Sequence, residues 1–169
     1  TVGGGLLTLT GSEAYTSAQY GPGRTLEFAA TFGAQPYQHV GFGGTLVGTP
    51  YVPYQGPPWI MFSTGNDGLN LYARVLPAGS TAYNTGNDKI LIGAYLDTPH
   101  IYRIDWKTDS IDFYVDGLLK TTVTATIANS MNVAVSDLQS GTPSLTVDWL
   151  RLTPYASPCS FDSRVFDAG

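Results

Sequence analysis

The chain has almost no sulfur chemistry and little charge. Cys159 is the only cysteine in 169 residues, which excludes an internal disulfide framework and a thiolate metal site. It reads as a buried or tail residue, or as a link between two chains in an oxidising compartment. Charged residues make up 12% of the sequence, about half of the roughly 25% usual in soluble domains. Eight Lys and Arg are scattered among thirteen acids for a net charge of -5, so no basic stripe exists to neutralise a nucleic-acid backbone. No apolar run approaches the roughly 20 residues that a membrane-spanning helix needs. Glutamate is the scarcest acid, with only Glu13 and Glu27. Helix-forming stretches rich in Ala, Leu, Glu and Lys are missing as well.

Glycine, proline, tyrosine and threonine are plentiful instead, and turn signals recur along the whole length. That pattern predicts an all-β sandwich in one domain. The clearest segment is His100 to Gly117, HIYRIDWKTDSIDFYVDG. Tyr102, Ile104 and Trp106 alternate with Arg103 and Asp105; Ile111, Phe113 and Val115 alternate with Asp112, Tyr114 and Asp116. This is the two-residue period of half-buried strands. Lys107 to Ser110 supplies one turn and Asp116-Gly117 the next. If Trp106 pairs with Ile111, Asp105 faces Asp112 at about 5 Å. Two such carboxylates could share a proton or a cation, or lie on an exposed face softened by Arg103 and Lys107.

Further strands are expected at Leu6–Thr10, Ala14–Thr16, Arg24–Phe32, Gln38–Leu46, Trp59–Ser63, Leu69–Val75, Lys89–Leu96, Thr121–Ile127, Met131–Leu138 and Ser144–Leu152. The Trp59 and Leu69 strands should form a hairpin around Asn66-Asp67-Gly68. In the Gln38 strand, Val40 and Phe42 point one way and His39, Gly41 and Gly43 the other. Glycines there fit a face opened for a ligand or another backbone, or an irregular strand. Gly48 to Pro58 holds four prolines and must be a loop, since proline donates no ladder hydrogen bond.

The hairpin resembles the "Y-x-I-x-W … I-x-F-Y-V-D-G" segment of the family 16 glycoside hydrolases, within the concanavalin A-like lectin/glucanase superfamily. Tyr20, Gly21, Gly23 and Glu27 are similar to that family's "Y-G-x-G-x-x-E" turn, and Leu145 to Leu152 to its closing "V-D-x-V-R-V" strand. The three motifs stand in the family's order and span residues 6 to 154. The resemblance implies a two-sheet antiparallel jelly-roll sandwich over residues 1–155, followed by a tail or linker at 156–169. It also implies a polysaccharide ligand on the concave face.

The family's hydrolases carry "E-I-D-x-x-E" on one strand, because glycoside cleavage takes two carboxyl groups across the bond. Here the strand expected to hold it reads Trp59-Ile60-Met61-Phe62-Ser63, so Trp59, Met61 and Ser63 replace the carboxylates. The expectation is therefore a non-catalytic, lectin-like binding module. A divergent hydrolase or lyase, the latter using Gln38, His39, Tyr72 and Arg74, is one alternative; a spacer domain that binds no sugar is another.

Alternation groups Asn70, Tyr72 and Arg74 on one face. With Trp59 and His39 they make a candidate sugar patch, rimmed by Tyr51 and Tyr54, in which aromatic faces meet pyranose rings. Trp106 and Trp149, within the most regular alternation, are expected in the core. From the family, Asp148 with the carbonyl of Gly23 would hold a structural calcium, an oxygen-only site suited to a hard cation. Surface composition and the abrupt ends at Thr1 and Gly169 suggest a domain of a longer secreted or cell-surface protein.

Overall fold

A computed structural model describes residues 1–43, 56–80 and 89–156. In chain order the strands are β1 (Val2–Gly3), β2 (Leu6–Leu9), β3 (Ser12–Tyr20), β4 (Arg24–Thr31), β5 (Gln38–Gly43), β6 (Trp59–Ser63), β7 (Leu71–Leu76), β8 (Lys89–Gly93), β9 (His100–Trp106), β10 (Ser110–Val115), β11 (Leu118–Thr124), β12 (Met131–Asp137) and β13 (Leu145–Pro154). They form a seven-stranded sheet, β1-β2-β13-β4-β9-β10-β11, and a six-stranded sheet, β3-β12-β5-β6-β7-β8. Every strand pairing within the two sheets is antiparallel. The expected jelly-roll sandwich is the fold found.

The β9–β10 hairpin lies between β4 and the edge strand β11 of the larger sheet, with Ile111 opposite Trp106 and Asp112 opposite Asp105 as its pattern required. Asp116 and Gly117 both have positive φ, 51° and 76°, the geometry of a tight two-residue turn that matches strand twist. Tyr102, Ile104, Trp106, Ile111, Phe113 and Val115 are all buried in the core. They meet the inner face of the smaller sheet through aromatic contacts. Phe62 of β6 lies 5.0 Å from Tyr102 and 5.1 Å from Phe113 between ring centroids, and Phe42 of β5 lies 4.9 Å from Trp106. Such offset and edge-on pairs add to the burial of large apolar area.

Two expectations fail here. Leu69 is 71% exposed and lies before β7, so the inward face of that strand begins at Leu71. Trp149 is 38% exposed rather than in the core. The register of β13 against β4 slips between Val147 and Trp149. A bulge of this kind inserts one extra residue and inverts the alternation beyond it: Leu145 and Val147 point inward before it, Leu150 and Leu152 after it. Trp149 is left outside, with the Arg151 guanidinium 5.9 Å from its ring.

Candidate functional site

The outer face of the six-stranded sheet is set by register. With Val40, Phe42, Ile60, Phe62, Leu71 and Ala73 in the core, the intervening residues face outward. One transverse row runs Glu13, Ser136, His39, Ser63, Tyr72, from β3 through β12, β5 and β6 to β7. The next runs Tyr15, Ala134, Gly41, Met61, Arg74, Lys89, and a third Gln19, Asn132, Gly43, Trp59, Leu76.

His39, Trp59, Tyr72 and Arg74 therefore share one surface, as the sequence predicted. Asn70 precedes β7 and hydrogen-bonds Tyr72. Tyr51 and Tyr54 lie outside the described residues. The environment differs from an open aromatic platform, because Trp59 is 2% exposed, His39 3% and Arg74 5%. Arg74 is held over the Trp59 ring at 5.0 Å, a cation–π contact that strengthens away from water. His39 Nδ1 lies 2.9 Å from Ser63 Oγ, which accepts the Gly65 amide at 2.9 Å. Burial, with the Arg74 charge second, pushes the imidazole down to about 3. It is neutral at physiological pH, so one ring nitrogen carries a proton and the other accepts.

The accessible end of the row is Tyr72. Its hydroxyl donates to Asp67 Oδ2 at 2.6 Å, Lys89 Nζ sits 5.2 Å from its ring, and Lys89 also donates to Asn66 Oδ1 at 2.8 Å. The bond to Asp67, then burial, raises the phenol above its ordinary value.

The other end holds residues the sequence reading passed over. Glu13 Oε2, Ser136 Oγ and Asn132 Oδ1 are buried atoms without a hydrogen-bond partner. Burial raises the Glu13 carboxyl above 4.5. Buried polar atoms are nearly always paired, so these three mark a stretch of the face where polar groups are held without hydrogen bonds among the described residues. Alternation against Met131, Val133 and Val135 was a usable signal for Asn132 and Ser136; nothing local linked them to Glu13.

Glycoside cleavage needs carboxyl groups about 5 to 5.5 Å apart for retention, or 6.5 to 9.5 Å for inversion. Among the described residues, no carboxylate stands on the outer face of β12, β5, β6 or β7. Glu13 is three strands from Ser63, roughly 14 Å by strand spacing. The lyase set also comes apart. Gln38 points away from His39, and its side chain is tied to the Gly33 amide, Asp137 and the Pro143 carbonyl.

The calcium pair is not brought together either. Asp148 lies in the bulge opposite Ala29 and Ala30, whereas Gly23 adjoins Arg24 at the other end of the same strand pair, about 20 Å away. The Gly23 carbonyl already accepts the Tyr155 amide at 3.0 Å. These two residues do not fit one ion, and no group of three or more His, Cys, Asp or Glu among the described residues could hold a metal.

The family model of glycosyl hydrolases family 16 matches residues 65–149. The chain belongs to that family. The matched stretch begins just past β6, so it includes β7 to β12 with the β9–β10 hairpin and the first half of β13, but not the strand of Trp59, Met61 and Ser63. A native glycosidic hydrolase of known crystal structure superposes on this family 16 chain with a TM-score of 0.63 at 19% identity, covering 94% of this chain and 82% of that one. The beta-glucanase of Bacillus licheniformis gives 0.52 at 24%, covering 88% and 77%. An immunostimulatory antigen and pseudo beta-1,3-glucanase of Mycobacterium tuberculosis gives 0.58 at 16%, covering 89% and 75%. At these identities the likeness is one of fold. No curated protein sequence matches the chain.

Proposed function

We propose that this family 16 chain is a non-catalytic carbohydrate-binding module of a secreted or cell-surface protein, gripping a polysaccharide along the outer face of its six-stranded sheet. The row Glu13–Ser136–His39–Ser63–Tyr72 carries the reading. It crosses five strands with polar side chains, Glu13 and Tyr72 at its two ends keep exposed surface, and among the described residues no carboxylate stands on the outer face of the strands between them. Sugar hydroxyls donate to such acceptors, while a lone carboxyl cannot supply both acid and base. The pseudo beta-1,3-glucanase of similar fold supports a scaffold without cleavage, and makes beta-1,3-glucan the first polymer to try.

Pull-down on insoluble beta-1,3-glucan, beside a glycan array and a reducing-sugar assay, tests this. Retention without sugar release is the expected result; steady release of oligosaccharides would establish the hydrolase instead. Glu13→Gln should weaken binding about tenfold, because a charged acceptor bond is worth more than a neutral one. The same change should leave thermal stability equal or slightly higher above pH 4.5, where the native carboxyl, raised by burial, is the costlier form to ionise. Tyr72→Ala should reduce retention similarly. Silence in both assays would point to a spacer domain.

A further inference from the structure

The outer face of the seven-stranded sheet, on the opposite side of the molecule, carries a polar cavity of about 320 Å³. Its floor is Thr25 and Asp105, neighbours across β4 and β9; its walls are Arg103 and Tyr114 on one side and Tyr155 on the other. Asp105 is 5% exposed and accepts the Thr25 hydroxyl at 2.8 Å, with Arg103 at 3.4 Å. A carboxylate offers about four lone-pair directions, so these contacts leave it accepting capacity. Asp112 beside it already accepts from three donors, Lys107, Thr122 and Tyr114. The Arg103 guanidinium stacks 3.8 Å from the Tyr114 ring centroid, and its Nε is buried without a partner.

A carboxylate acceptor and a guanidinium donor thus converge on one small space beside phenol rings. An anion meets Asp105 there, and a cation meets Arg103 with Lys107 close by, so either is opposed by like charge. A neutral molecule with adjacent hydroxyls satisfies both groups at once and lays an apolar face on a ring. The volume lies at the small end of ligand pockets, enough for one sugar ring and not a chain. We propose that this cavity is a second carbohydrate subsite, taking a single neutral sugar residue as a branch or chain end. Because it faces away from the candidate surface of the six-stranded sheet, one domain would join two glycan segments, with the gain in avidity that bivalence brings.

The test is an NMR titration of the intact chain with uncharged methyl pyranosides of gluco, galacto and manno configuration, and with methyl glucuronoside. Saturable shifts of the Thr25, Asp105, Tyr114 and Tyr155 amides by at least one uncharged glycoside, with a dissociation constant on the order of 1 mM, are expected. Tyr155→Ala, which removes a wall at the rim, and Asp105→Asn should each weaken that binding about tenfold. Glu13→Gln and Tyr72→Ala should leave it unchanged. The assignment is overturned by absence of saturable shifts at these amides, by a response to the glucuronoside alone, or by full binding in folded Tyr155→Ala. Shifts are read residue by residue, so failure here is separable from failure of the candidate surface on the other sheet.

Discussion

Acidifying the protein from pH 6.5 to 3 should remove on the order of 5 kcal/mol of stability through one side chain, His39. Its native value of about 3 lies far below the ordinary 6.5, first because it is buried and then because Arg74 is near. The unfolded chain takes up the proton near 6.5 and the folded chain does not. Stability is therefore full above 6.5 and declines as pH falls toward 3. The loss is comparable to the whole stability of a typical domain. Carboxylates act in a different window. For Asp67, Asp112 and Asp116 burial pushes the value up, but the hydrogen bonds and nearby positive charges around each, led by Tyr72, Lys107 and the Ile101 amide respectively, together outweigh it and hold each below 3.8. Their contribution is lost only below that pH. Glu13 and Asp137, raised by burial, act in the opposite sense. Urea melts at stepped pH separate these terms: His39→Asn should be less stable than the parent at pH 7 yet nearly flat between pH 6.5 and 4.5. Parallel decline of the two proteins in that interval would show that His39 is not the responsible group.

Gly41→Ala should destabilise by about 3 kcal/mol or more, at the upper end of overpacking penalties. A methyl built on Gly41 would lie 2.2 Å from the Ile60 carbonyl oxygen and 2.6 Å from Met61 Cα. Both atoms belong to the backbone of β6, so relief requires moving β5 and β6 apart in the middle of their ladder. Gly41→Ala in thermal denaturation should show a midpoint many degrees below the parent. Gly117→Ala, where nothing lies within 4 Å, serves as the control that measures the left-handed backbone penalty without a clash. Equal melting points for the two variants would refute the steric argument. This also decides between the readings of the glycine-rich strand: at Gly41 the absent side chain admits a neighbouring backbone.

The hairpin from His100 to Val115 was fully legible because its pairing is local; alternation and a four-residue turn determine which residues meet, down to Asp105 against Asp112. Trp149 was misread because the bulge that inverts its facing leaves no mark in the alternation of Leu145, Val147 and Trp149. The sequence grouped His39, Trp59, Tyr72 and Arg74 correctly, since facing follows from alternation, but overstated their accessibility, which depends on long-range packing. Glu13 and Ser136 were illegible as neighbours. Their strands pair across more than a hundred residues, and β12 could have joined the sandwich at other places with the same pattern. The proposed calcium pair failed for a related reason: motif order along the chain says nothing of the distance between strand ends.

Three tryptophans end up in three different surroundings, and that gives the protein its own set of optical probes. Trp106 is enclosed at 0% exposure, Trp59 lies under a guanidinium, and Trp149 meets solvent. Iodide should quench Trp149 selectively, and Trp149→Phe should remove the red edge of the emission. What remains would report Trp106 and Trp59 alone, so that a spectral change on adding glucan to Trp149→Phe would register events at the six-stranded sheet without any label attached.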